Sequence, residues 1–206
     1  MNLSRKVKQF VRKDLDLDVM LPEELPSYVS SFVYMFGVLT MASLVILIIS
    51  GIVMVLEGPL WYQYSSWGLF FRSIHFWGAQ VFFFFMVVHM ISIFFMAGWR
   101  EGRFLTWILG VMLFGLSMFE AFMGYLLGGG FFAQWNQVQA KDAMNAIGVT
   151  GFINILNNSQ LYGLHVVILP LLIVGLLGLH LFFVRRRGVV PPIEYNSKNG
   201  KKREKI

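Results

Sequence analysis

The chain has 206 residues, 57% of them hydrophobic and 17% aromatic, with 21 phenylalanines and no cysteine. That is length for one membrane domain and too apolar for an ordinary soluble one, and without cysteine this chain can hold no disulfide, thiolate-bound iron–sulfur cluster or thioether-linked haem. The net charge of +6 does not describe a nucleic-acid surface, because 15 of the 17 Lys and Arg fall in the N-terminal arm, the Arg100–Arg103 turn and the C-terminal tail.

Taken in order, residues 1–30 form an arm with five basic and five acidic residues. Residues 2–13 read either as an amphipathic helix resting on the membrane surface or as a solvated arm, and Pro22 and Pro26 then break the chain. No cleavable signal peptide is expected, since the charged arm before Ser31 is too long for a signal n-region. Residues 31–187 are expected to fold as an all-α membrane protein, a four-transmembrane-helix bundle. Helix A runs from about Ser31 to Leu56 and can cross a bilayer with some tilt. Glu57-Gly58-Pro59 ends it, and Trp61, Tyr62, Tyr64 and Trp67 make an interfacial aromatic belt. Helix B runs from about Leu69 to Ala97, and a basic turn, Gly98 to Arg103, returns the chain into helix C, about Phe104 to Leu127. The less apolar stretch from Gly128 to Tyr162 holds one short surface helix near 135–147. Helix D, about Leu161 to Val184, closes on Arg185, Arg186 and Arg187, and residues 188–206 form a basic tail. The positive charges predict both termini and the B–C turn on the cytoplasmic side, and the membrane is expected to be a prokaryotic cell membrane.

Imidazole is rare and costly in hydrocarbon, yet helix B carries His75 and His89, fourteen residues apart. Fourteen helical steps return within about 40° of the starting direction and rise about 21 Å, so both rings share one face. The only other histidines, His165 and His180, lie fifteen apart in helix D, an interval that leaves a rotation of about 60° in a straight α-helix. Helices B and D run in the same direction, so His75 is level with His165 near the outer side and His89 with His180 near the inner side. Two such bis-histidine sites suit two stacked haems enclosed by the bundle.

The glycines make a separate argument. Gly37 and Gly51 in helix A, and Gly110 and Gly124 in helix C, are also fourteen apart. Gly37 and Gly110 fall level with the inner histidines, Gly51 and Gly124 with the outer ones. A flat macrocycle held edge-on between B and D needs A and C to approach without a Cβ. Any one of these glycines alone would read as ordinary small-residue packing; four in register with four histidines favour haem.

With those residues in place the chain resembles the N-terminal, four-helix, dihaem part of the cytochrome b family, from about Pro26 to Pro192. The resemblance is carried by Gly37 and Gly51, Arg72-Ser-Ile-His75, His89, Leu105-Thr-Trp107, Gly110, Ala121-Phe-Met-Gly-Tyr125, Leu164-His165, Leu169-Pro170 and His180. The fifteen-residue interval in helix D and the short chain look like the split cytochrome b of photosynthetic complexes, whose C-terminal helices form a separate subunit.

The resemblance implies two non-covalent b-type haems, a low-potential one on His75 and His165 and a high-potential one on His89 and His180. It implies that Arg72 pairs with a haem propionate through a charge-assisted hydrogen bond, the alternative being an interfacial snorkelling arginine. It places Arg185 near an inner quinone site, the alternative being one more positive-inside charge, and Tyr125 at the outer quinol pocket. Implied partners are a C-terminal cytochrome b-type subunit, a Rieske-type iron–sulfur protein or a replacement for it, a cytochrome c-type subunit, membrane lipid and a second copy in a homodimer. The chain departs from the family after Tyr125, where Leu126-Leu-Gly-Gly-Gly130 replaces the usual Leu-Pro-Trp. The C–D loop looks shortened by about ten residues or more, the usual arginine before His165 is Gln160, and Met35 lies near the position of a covalent haem cysteine. Glu120, a carboxylate one turn before Gly124, reads as a candidate proton acceptor for quinol oxidation or as an acid hydrogen-bonded to a neighbouring helix.

The expected function is that of a dihaem subunit of a respiratory quinol-oxidising complex, carrying electrons from an outer quinol site to an inner quinone site. The competing readings are a dihaem anchor linking a peripheral dehydrogenase or reductase to the quinone pool, which the shortened loop favours, and a membrane scaffold or channel without redox activity.

Overall fold

The computed structural model describes residues 26–149 and 151–193, and the backbone of 195–196 and 201–202; the surface helix considered for 2–13 lies outside them. Among the described residues, five long helical segments make the fold, besides two short 3-10 turns: α1 (Phe32–Glu57), α2 (Ser66–Phe95), α3 (Phe104–Leu126), α4 (Phe131–Ala146) and α5 (Asn158–Arg187). The strand structure among the described residues is a two-residue antiparallel pairing of Tyr195–Asn196 with Lys201–Lys202. Helices α1, α2, α3 and α5 are each long and apolar enough to cross a membrane. In hydrocarbon such segments become helices because each backbone N–H and C=O is then satisfied within its own segment. Val38, Leu56, Phe84, Phe95 and Leu171 are all more than half exposed on these helices, an apolar surface suited to lipid or partner helices and not to water. The chain is an integral membrane protein.

The helix ends follow local chemistry. Gly58, with φ of 98°, ends α1 and donates its N–H to the Met54 carbonyl at 3.0 Å. α2 stops at Phe95, two residues before the expected end. There the Ala97 N–H donates to Phe94 O at 2.8 Å and the Gly98 N–H to Ile93 O at 2.9 Å, the paired bonds of a Schellman end. α4 begins at Phe131 and not near Trp135, because the run Gly128–Gly130 stops α3 and leaves Gly130 extended as the N-cap. α5 begins three residues before the expected Leu161. Asn157 Oδ1 accepts the N–H groups of Ser159 at 3.1 Å and Gln160 at 3.2 Å, which satisfies donors that a helix start otherwise leaves open.

The helices contribute to two compact units. One gathers the start of α1, the end of α2, the start of α3 and the end of α5. In it, the chain after α5 is held by its own carbonyls: Tyr28 Oη donates to Val189 O at 3.1 Å, Tyr34 Oη to Val190 O at 2.7 Å and Arg100 Nη2 to Pro191 O at 2.8 Å. The other unit gathers the end of α1, the start of α2, the end of α3, α4 and the start of α5. Its core is Met123, Leu126, Ile155, Leu161 and Leu169. Gly68 belongs to this unit, and a Cβ there would come within 2.6 Å of the Trp61 carbonyl, so only glycine lets the turn after α1 lie against the start of α2.

Candidate haem-binding sites

In the unit that holds α4, His75 of α2 and His165 of α5 face each other with ring centres 6.2 Å apart and planes at 88°. Two imidazole nitrogens each about 2 Å from one metal ion put ring centres roughly 6 Å apart, so the spacing matches a shared axial metal. His75 Nδ1 lies 3.1 Å from Leu47 O and 3.0 Å from Ser50 Oγ. The Ser50 hydroxyl itself donates back to Ile46 O at 2.8 Å, so Ser50 Oγ accepts from the ring. His165 Nδ1 lies 3.2 Å from Glu120 O and 2.9 Å from Glu120 Oε1. Both rings therefore have Nδ1 as the donor, which leaves Nε2 for a metal and fixes the tautomer. A glycine stands behind each ring: a Cβ on Gly51 would lie 3.3 Å from His75 Cε1, and one on Gly124 only 2.5 Å from His165 Cε1.

The other unit repeats the glycine arrangement without the same hydrogen bonds. A Cβ on Gly37 would come within 3.1 Å of His89 Cε1, and one on Gly110 within 3.3 Å of His180 Cε1. His89 and His180 both belong to this unit. His89 Nδ1 is buried with no hydrogen-bond partner, and the Thr106 backbone faces the His180 ring without a well-formed bond to its Nδ1. Among the described residues no three His, Cys, Asp or Glu side chains gather around a point. Two opposed imidazoles hold iron when a macrocycle supplies its remaining four ligands, so these donor pairs fit haem.

The structure alters the geometry expected for α5. Residues Leu164–Ile168 form a π turn, with the Leu169 N–H reaching the Leu164 carbonyl. Pro170 has no N–H to give to the carbonyl four residues back, and its ring crowds that turn. The wider i→i+5 turn accommodates the proline by taking in about one extra residue.

The remaining candidate residues have these surroundings. Arg72 lies over the Tyr62 ring with Cζ 4.3 Å from its centre, a cation–π contact. The Tyr125 hydroxyl accepts from Asn136 Nδ2 at 3.3 Å. Gln160 ties the loop before α5, its Oε1 accepting the Asn154 N–H at 2.8 Å and its Nε2 donating to Phe152 O at 3.1 Å. Arg185 is exposed. A cavity of about 470 Å³ opens beside Pro59, Leu127, Gln134, Gln137, Asn158 and Tyr162. Sequence reasoning missed Ser50 and Leu47 as partners of His75. The signal for Ser50 was a serine in an apolar helix directly before Gly51; a backbone carbonyl such as that of Leu47 leaves none.

Similarity to known proteins agrees with this geometry. A family model described as cytochrome b (N-terminal)/b6/petB matches residues 80–205. The chain is 30% identical to the menaquinol:cytochrome c reductase cytochrome b subunit of Geobacillus thermodenitrificans, over 82% of this chain and 89% of that protein. It is 28% identical to the subunit of the same name in Bacillus subtilis, over 91% of this chain and 99% of that one. A solved structure described as a hyperthermophilic respiratory Complex III superposes with a TM-score of 0.72 at 26% identity, covering 96% of this chain and 58% of that one. With a family match across more than half its length, the chain belongs to the cytochrome b N-terminal/b6 family.

Proposed function

We propose that this protein is the dihaem cytochrome b subunit of a quinol-oxidising respiratory complex, carrying electrons from an outer quinol site to an inner quinone site. The observation that carries the reading is the pair of opposed imidazoles His75 and His165, 6.2 Å apart and each backed by a glycine, with a second glycine-backed pair in His89 and His180. A b-type haem bound at each pair supplies one-electron transfer. The protein's part would be to hold the imidazoles toward that group and to exclude water from it. Arg72, which lies over the Tyr62 ring, would pair with a propionate of the His75/His165 haem. The relatives' names point to menaquinol as the quinol.

In this reading residues 31–187 are the haem domain. The arm 1–30 and the tail 188–206 lie on the cytoplasmic side of a prokaryotic membrane, and the His75/His165 pair lies toward the outside. The cavity beside Gln134, Gln137 and Asn158 then opens toward the outer side and offers space for the ring of a quinol, and Tyr125 would belong to the same outer pocket. Glu120, as a proton acceptor, would work through Oε2, which is buried without a partner. Arg185 would serve the inner quinone site. The complex would add a C-terminal cytochrome b-type subunit, a Rieske-type protein or its replacement, a cytochrome c-type subunit, and a second copy in a homodimer.

The test is purification of the complex from native membranes, haem quantification and low-temperature EPR. Two b haems per chain with a stoichiometric Rieske-type signal are expected. A preparation with no b haem would overturn the reading; two haems with one quinone site and a peripheral dehydrogenase would replace it with the membrane-anchor alternative.

A further inference from the structure

Glu120 is the one acidic side chain of α3. It and His165 are largely buried, with side-chain exposures of 16% and 20%. Resting on the assignment of His165 as a haem ligand, we propose that Glu120 is a positioning residue that strengthens His165 as an electron donor and so lowers the potential of the haem bound there. His165 Nδ1 has two acceptors on the same residue, Glu120 O at 3.2 Å and Glu120 Oε1 at 2.9 Å. The backbone carbonyl is enough to fix the tautomer. The carboxylate adds a negative charge next to the ring, draws the Nδ1 proton outward and makes Nε2 more basic. A more basic axial ligand favours ferric over ferrous iron, and the low local dielectric strengthens the effect.

The other three histidines lack this feature. His75 Nδ1 meets two neutral acceptors, Leu47 O and Ser50 Oγ. The Nδ1 atoms of His89 and His180 have no well-formed hydrogen bond. Glu120 therefore separates the two haem sites electronically, in the direction that makes the His75/His165 haem the more readily oxidised of the two.

The experiment is a redox titration of the intact, haem-loaded complex, comparing wild type with Glu120→Gln at the haem α-band. A His75→Leu variant identifies which spectral component belongs to this pair. Glutamine keeps an oxygen for the His165 N–H and removes only the charge. The midpoint of that component is expected to rise by about 59 mV, a tenfold change in its reduced-to-oxidised ratio at fixed ambient potential, and its ferric EPR anisotropy to change, while the other component stays in place. Glu120→Ala leaves the backbone carbonyl as the acceptor and should move the midpoint in the same direction. An unmoved midpoint in either variant with both haems present would overturn the proposal; slowed quinol oxidation at an unmoved midpoint would do so too, leaving Glu120 with proton acceptance alone. If His75→Leu removes no haem component, the ligand assignment falls and the proposal with it, whatever the Glu120 variants do.

Discussion

His75 and His165 are held at Nδ1 by a serine hydroxyl, two backbone carbonyls and a carboxylate, whereas His89 and His180 lie against glycines with no well-formed hydrogen bond at that atom. The two pairs share one plan for where the rings go and use different means to keep them there. Ring position comes from helix periodicity and from glycines that leave room. Ring orientation and donor strength come from hydrogen bonds that only one pair has. In the His75/His165 pair, hydrogen bonds at Nδ1 set the orientation. In the His89/His180 pair it rests on packing against Gly37 and Gly110.

The sharpest way to break this comparison is to remove a ligand. His165→Leu should cut the b-haem content from two per chain to one, with loss of one α-band component, and His180→Leu should remove the other. A pyridine haemochrome assay on the purified complex reads both; retention of two haems in either variant would contradict the pairing.

Alanine at the glycines should give the next largest effect, graded by the space available. A Cβ on Gly124 would lie 2.5 Å from His165 Cε1, while one on Gly110 would lie 3.3 Å from His180 Cε1. Gly124→Ala must displace a ring that Glu120 also holds, so it should lose most of the haem at that site; Gly110→Ala should keep most of its haem. The haem-to-protein ratio decides it, and an equal loss in the two variants would mean that ring–glycine contact does not control occupancy.

A smaller effect is expected from Ser50→Ala. His75 keeps the Leu47 carbonyl, so the cost should be about 0.5–1.5 kcal/mol, the net worth of one hydrogen bond. It should show as earlier thermal loss of the haem bound by His75 and His165, without change at the His89/His180 pair. The smallest change is Asn157→Ala, which removes the cap of α5 at a cost of about 1 kcal/mol. The Tm should fall slightly with haem content unchanged; a large haem loss would show that the start of α5 is coupled to the site more tightly than a cap implies.

Much of this was legible in the chain itself. The four spans stand out because lipid demands long apolar helices. Gly37, Gly51, Gly110 and Gly124 come to lie against the four histidines because equal intervals on straight helices preserve a face. Helix ends were less legible: Asn157 caps α5 four residues before its apolar pattern becomes plain, and Gly128–Gly130 releases α4 earlier than its polar face announces. Glu120 was visible as a carboxylate at membrane depth, but its partner was not, since His165 lies 45 residues away on another helix.

By itself, then, the sequence determined the helices, the histidine pairs and their glycine backing, all of which follow from periodicity along one axis. Only the tertiary structure decided which atom of His75 and of His165 is hydrogen-bonded, that a π turn precedes Pro170 in α5, and that, among the described residues, a single carboxylate reaches a single ring. Those features depend on distances between helices and on backbone carbonyls, and a pattern of side chains along the chain records neither.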